Sequence, residues 1–220
     1  MNSTSVVHAI FPIPIYTVEC DIDITSAVRF LNQQFDFIPN NYSSTYGNKT
    51  VDDYLLDHPE CESLKNFAIF HFERFARDVF AWDIEGFQIT QSWITVKNPG
   101  EMHGLHYHPN SVLSGVFYFQ ENAEQTAPLT FHRPEPISQL MNMFAPSTSN
   151  ELKQYTEFPW HEYSITPKTN LLVLFPSWLN HSVGLNNTST ARRSIAMNAL
   201  PIKKFGSRES SLEIDFSRLK

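Results

Sequence analysis

The stretch His103–Phe119, H-G-L-H-Y-H-P-N-S-V-L-S-G-V-F-Y-F, decides how this chain is read. Past the Pro109-Asn110 turn signal, an apolar run rich in Val and Phe reads as a β-strand over 112–120. Before it, His106 and His108 stand two residues apart. Residues i and i+2 of a strand share a face, so two imidazoles there converge on one point. A third histidine, His181, comes much later in F-P-S-W-L-N-H-S-V-G, at the end of the buried apolar run 171–176. Arg192 follows eleven residues on, in R-R-S-I-A-M-N. A same-face histidine pair, a distant third histidine and a nearby Arg-x-Ser read as a metal site beside an anion site.

The rest of the chain supplies the frame. From Gly86 onward the pattern has period two, with strands expected over 87–96, 112–120, 129–132, 161–165, 171–176 and 192–200. Before Gly86, Leu64, Phe67, Ala68, Phe72, Phe75, Ala76 and Val79 recur at three- and four-residue spacing. That is one apolar stripe on a helix over 59–81, wide enough to lie across a sheet. His71 falls beside the stripe and reads as a packed histidine. Residues 8–19 mix prolines with β-branched residues and read as an edge strand. Thr25 is placed to cap a helix running to about Phe37, and 40–50 reads as a loop. The long segment 134–159 has no period and reads as a lid or binding loop. Its Met141, Met143 and Phe144 either line a pocket or pack. The class is α+β, a β-sandwich or jelly roll carrying helices on one side.

Composition bounds the function. The 220 residues fit one domain: strand and helical support over 1–85, a β core over 86–202 and a polar tail over 203–220. A net charge of −7 offers no basic surplus for phosphate neutralisation, so no nucleic-acid partner is expected. The basic residues of the tail alternate with Glu209, Glu213 and Asp215. Cys20 and Cys61 make neither a disulfide framework nor a C-x-x-C motif. The N-terminus has no basic leader, and no apolar run reaches ~20 residues, so no signal peptide or membrane span is expected. A cytoplasmic protein is the expectation, in the host cytoplasm if viral. Oligomeric state leaves no mark.

The chemistry follows from the ligand types. Three facial ligands leave open positions on a first-row metal, and imidazole suits such ions. His103 lies three residues from His106, so on a regular strand it points away. His132 sits at a strand end, next to the site at most. Asn186 and Asn187 make a credible turn between His181 and Arg192, so the chain reverses and runs back past the ligand. Arg192, Ser194, Ala196 and Asn198 then share a face, where Arg192 presents a planar fork to a carboxylate and Ser194 adds a hydroxyl. Arg193 leaves the other face.

This H-x-H…H-x(10)-R-x-S layout resembles the 2-oxoglutarate- and iron(II)-dependent oxygenases. The phrases A-I-F-P-I-P-I-Y, S-W-I-T-V-K-N-P-G-E-M-H-G-L-H-Y-H-P-N-S and L-F-P-S-W-L-N-H-S-V are similar to a group of these enzymes in marine bacteria and cyanophages. The resemblance spans most of the chain, least at 134–159. It implies a double-stranded β-helix with N-terminal helices packed on the major sheet, and iron(II) held by His106 and His181. It also implies 2-oxoglutarate gripped by Arg192 and Ser194, and dioxygen-dependent hydroxylation of a small-molecule or peptide substrate, as in prolyl hydroxylases.

One position departs from that pattern. The superfamily pairs its first histidine with Asp or Glu two residues on, and here that residue is His108. Three explanations stand: a three-histidine site, a carboxylate from elsewhere such as Glu101, or a site without standard hydroxylation. The i, i+2 geometry favours the first. Two further functions compete with the hydroxylase: a non-catalytic metal-binding module of cupin type, and a three-histidine iron dioxygenase that takes no 2-oxoglutarate.

Overall fold

The computed structural model describes residues 12–40, 46–121, 126–134, 162–207 and 209–214. His8, His161 and nearly all of the 134–159 segment, with Met141, Met143 and Phe144, lie outside these. The described chain is mostly antiparallel sheet with few helices. Among the described residues, thirteen strands run in chain order: β1 (Tyr16–Glu19), β2 (Phe37–Pro39), β3 (Asn48–Thr50), β4 (Phe87–Lys97), β5 (His103–His106), β6 (Leu113–Phe117), β7 (Leu129–His132), β8 (Glu162–Ile165), β9 (Leu171–Pro176), β10 (His181–Val183), β11 (Arg192–Pro201), β12 (Lys203–Ser207) and β13 (Ser210–Ile214). The helices are α1 (Thr25–Leu31) and α2 (Glu62–Arg74), the latter continued by one wide turn over Phe75–Val79.

Seven strands form the larger sheet, in the order β1-β9-β6-β11-β4-β3-β2, and four form the smaller, β5-β10-β7-β8. Strand alternation sorts the core into two clusters. Leu172 and Leu174 of β9 and Ile195, Met197 and Ala199 of β11 face α2, against Leu64, Ala68 and Phe72. Val173 and Phe175 of β9 turn to the other side and pack with Leu129 and Phe131 of the smaller sheet and with Tyr118. Burial on both faces is why β9 reads as an unbroken apolar run instead of an alternating one. At Gly115 the neighbouring strands and α2 close in so far that an added Cβ would meet Leu174 of β9 at 2.7 Å, and Met197 of β11 and Phe72 of α2 at 3.3 Å.

The helix expected over 59–81 is present, and His71 is buried as expected, with Tyr16 Oη 2.8 Å from its Nδ1. Strand β1 is indeed an edge. Three local expectations need correction. Helix α1 stops at Leu31, not Phe37, because Phe37 is drawn into β2 opposite Thr50. Thr25 is the helix's first residue, and the side chain that receives its N–H is Asp23. The stretch read as a loop over 40–50 contains β3, whose Thr50 is buried and bonded to Ile94 N. Beyond the core, Lys203–Ser207 and Ser210–Ile214 pair as a separate two-stranded hairpin in the segment expected to be a polar tail. No helix among the described residues is long and apolar enough to cross a membrane.

Phe72→Ala removes the ring that wedges α2 onto the sheet. The expected loss is roughly 3–5 kcal/mol, read as a lower urea midpoint at unchanged slope.

Candidate metal centre

The pairing of β5 with β10 builds the centre. His106 lies directly opposite His181 in the ladder, which joins two residues 75 positions apart. His108 lies past the end of β5 rather than on it, and its N–H bonds Ser177 O at 2.9 Å. The anticipated strand-face argument therefore covers His106 alone, yet all three imidazoles meet. One ring nitrogen from each of His106, His108 and His181 falls within 4.8 Å of the others.

The other ring nitrogens fix the tautomers. His106 Nδ1 is 2.8 Å from Gly104 O, and His181 Nδ1 is 2.9 Å from Leu179 O. A carbonyl oxygen only accepts, so each Nδ1 carries the proton and each Nε2 keeps its lone pair. His108 Nδ1 donates likewise to Asn198 Oδ1 at 2.6 Å, and that oxygen also accepts from Ser114 Oγ at 2.9 Å. Partners of this kind orient a ligating imidazole and raise its basicity. Burial pushes His106 down to about 4 and His181 well below its ordinary range, with His108 lowered as well. The rings are neutral at pH 7, the form that binds a metal.

His103 corrects the sequence expectation. Its ring does not point away but stacks on that of His106, centroids 3.9 Å apart, and lines the same cavity. The cause is a bulge. Val183 pairs with His103 while His181 pairs with His106, so β5 carries one residue more than β10 across that interval. An extra residue reverses the alternation and returns i+3 to the face of i. Burial holds His103 down to about 2. His132 sits outside the cavity, with Nε2 2.8 Å from Ser182 Oγ. Glu101, the alternative carboxylate, spends both oxygens on Asn98, at 2.7 Å to its N and 3.1 Å to its Nδ2.

Beside the histidines, the face of β11 expected to carry Arg192, Ser194 and Ala196 does line the cavity. Arg192 is 4% exposed, its Nε has no hydrogen-bond partner, and its guanidinium lies 5.4 Å over the ring of fully buried Tyr118. Ser194 Oγ is 3.1 Å from Thr95 Oγ1. Arg193 leaves the opposite face, donating to Gln33 O at 3.2 Å. Sequence reasoning missed Lys97. It is the cross-strand partner of Arg192, lines the cavity at 1% exposure, and its Nζ has no partner. A buried lysine facing a predicted anion site is visible in sequence only once the register of β4 against β11 is known. Two buried cations with unsatisfied nitrogens fit a dianionic ligand, and three neutral imidazoles with free lone pairs fit a divalent metal.

Residues 91–198, just under half of the chain, match a family model described as "Putative 2OG-Fe(II) oxygenase". No curated protein matches in sequence. Among solved structures, the chain is similar to the alpha ketoglutarate dependent epimerase SnoN from nogalamycin biosynthesis, solved with Fe3+ and alpha ketoglutarate. That match has TM-score 0.58, 14% identity, and covers 89% of this chain and 82% of that one. It is also similar to HygX from Streptomyces hygroscopicus, solved with nickel and 2-oxoglutarate (TM-score 0.56, 8% identity, covering 86% and 83%). A prolyl-4-hydroxylase of Pseudomonas putida shares the fold as well (TM-score 0.54, 12% identity, covering 84% and 92%). The family match covers the part of the chain that carries the clustered histidines and Arg192, and these solved structures share its fold.

Proposed function

We propose that the chain is a 2-oxoglutarate- and iron(II)-dependent dioxygenase that hydroxylates a small-molecule or peptidyl substrate, built on a double-stranded β-helix. On this reading the whole of 1–220 is one domain, His106, His108 and His181 hold the metal, and Arg192 and Ser194 hold the co-substrate. The carrying observation is the set of three neutral imidazoles, each with Nδ1 fixed as a donor, beside the buried Arg192, whose Nε has no hydrogen-bond partner. When bound, iron(II) would serve as the site at which dioxygen is reduced, two electrons coming from the decarboxylation of 2-oxoglutarate to succinate and carbon dioxide and two from a substrate C–H bond, with one oxygen atom entering succinate and the other the new hydroxyl group.

The chain's own residues do the positioning. Asn198 and the carbonyls of Gly104 and Leu179 keep the three Nε2 lone pairs facing one point. Arg192 offers two parallel N–H groups to a carboxylate, and the phenol ring of Tyr118 beneath it restricts its tilt. Trp93, stacked 5.9 Å from His108, and Phe175, edge-on to His181 at 4.7 Å, keep water from the apolar side of the ligands. A cupin-type module and an oxygenase without 2-oxoglutarate both leave the cations of this cavity without a counter-charge.

His106→Ala or His181→Ala should abolish stoichiometric iron(II) binding while the circular dichroism of the fold persists. One equivalent still bound tightly by both variants would refute the ligand set. His108→Asp should retain or strengthen binding, since it restores the carboxylate at the position where the superfamily has one.

Losing one partner of a buried charged pair costs ~2–5 kcal/mol. Arg192→Ala should therefore weaken 2-oxoglutarate binding about 30-fold or more and leave metal affinity intact. Arg193→Ala should leave 2-oxoglutarate affinity unchanged, because its guanidinium is on the far face of β11. The charge-transfer absorption of anaerobic iron-loaded protein on adding 2-oxoglutarate measures both. Equal losses in the two variants, or no band in the unmodified protein, would sink the co-substrate assignment.

A further inference from the structure

Lys97 is the last residue of β4 and sits cross-strand from Arg192, the first residue of β11. Its side chain is 1% exposed, and its Nζ makes no hydrogen bond. Among the described residues, no carboxylate oxygen lies within ion-pair distance of it. An ammonium group strongly prefers water, so an unpaired one at such depth is a standing cost to the fold. A second cation, Arg192, lies next to it and adds like-charge repulsion. Burial first and Arg192 second push the lysine down to about 7, against a smaller opposing pull from the Glu101 carboxylate.

The fold also goes to some length to hold Lys97 there. The Asn186 side chain, itself buried, donates through Nδ2 to Lys97 O at 2.8 Å and to Thr190 O at 2.9 Å. Its Oδ1 accepts from Thr188 N and Thr188 Oγ1, so it ties the end of β4 to the start of β11. A chain that needed only packing at this position would do better with leucine or methionine. The stem of Lys97 is already packed, its δ-carbon 2.7 Å from where a Cβ on Gly47 would stand. What the packing leaves unanswered is the head group, whose Nζ is buried without a partner on a residue that lines the same cavity as Arg192, Ser194 and the histidines.

We propose that Lys97 is a second cationic grip on the co-substrate, closing with Arg192 on the distal carboxylate of 2-oxoglutarate and making the pocket selective for dicarboxylic 2-oxo acids. Arg192 provides the planar fork and Lys97 a point charge from the neighbouring strand, so one carboxylate satisfies both unpaired nitrogens. This rests on the co-substrate reading given above.

The test compares two ligands that differ only at the distal end: 2-oxoglutarate, and 2-oxopentanoate, which has a methyl group in place of that carboxylate. Calorimetric titration of anaerobic iron-loaded protein gives both affinities for the unmodified chain and for Lys97→Met. The variant should bind 2-oxoglutarate about tenfold or more weakly and 2-oxopentanoate unchanged. Thermal denaturation of the metal-free protein gives an independent readout. Below pH 7, where the Lys97 ammonium is charged, its removal should raise the midpoint by about 2–4 °C. Lys97→Gln, uncharged but polar, should show the same ligand pattern. Equal loss for both ligands would assign Lys97 a purely structural role, and no loss for either would remove it from the pocket; both overturn the inference. Failure of the unmodified protein to bind 2-oxoglutarate would instead overturn the co-substrate reading itself.

Discussion

Strand β11 runs through the middle of the larger sheet with β4 on one side and β6 on the other, and its two faces are committed to different tasks. Ile195, Met197 and Ala199 are sealed into the helix-facing core, and that seal fixes the register of the whole strand. A one-residue slip would exchange the faces, putting three apolar side chains in the cavity and a guanidinium against α2. Because the register is pinned, Arg192, Ser194 and Asn198 have no choice of face. Arg192 and Ser194 line the cavity, while Asn198 holds His108 by its Nδ1. The anion end and the metal end of the site are thus set by one strand.

Burial has opposite consequences for the two kinds of group that share the cavity. For an imidazole that will bind a metal, desolvation helps, because it removes the competing proton and leaves the lone pair free. For Arg192 and Lys97 it is a penalty that the ligand-free protein bears. Selection of polar side chains for such a place makes sense only in a state where a counter-charge is present. The apolar half of the lining, Val116 and Leu129, raises the stakes by lowering the local polarity around those same cations.

Much of this was legible in the sequence, for reasons that mark where legibility ends. The long strands and α2 carry strong periods, and the face of Arg192 and Ser194 follows from alternation alone. His106 and His108 were flagged by residue type and their two-residue spacing, and His181 by the buried apolar strand that precedes it. His103 was misplaced because a bulge changes parity without changing composition, and nothing in H-G-L-H announces the extra residue. Lys97 was missed because its role depends on which residue of β4 stands opposite Arg192, a register that no local pattern encodes. Strands β2 and β3 escaped for another reason: at three residues each they are too short to show a period, and their polar side chains read as a turn.

The absence of a carboxylate among the three clustered imidazoles carries its own electrostatic logic. A His-x-Asp centre gives a divalent metal one negative ligand; this centre gives it none, and two further cations stand nearby. With a divalent ion in place, a dianion such as 2-oxoglutarate answers a larger share of the positive charge than it would in a carboxylate-bearing site. Binding free energies are reciprocal, so a co-substrate that depends more on the metal also retains the metal more strongly. On the proposed ligand set, His108 in place of a carboxylate would shift the site from one that holds its metal alone towards one that holds metal and dianion as a pair. The buried Lys97, whose Nζ has no hydrogen-bond partner, fits the same logic: no carboxylate among the described residues lines the cavity, and the ligand would bring the counter-charge.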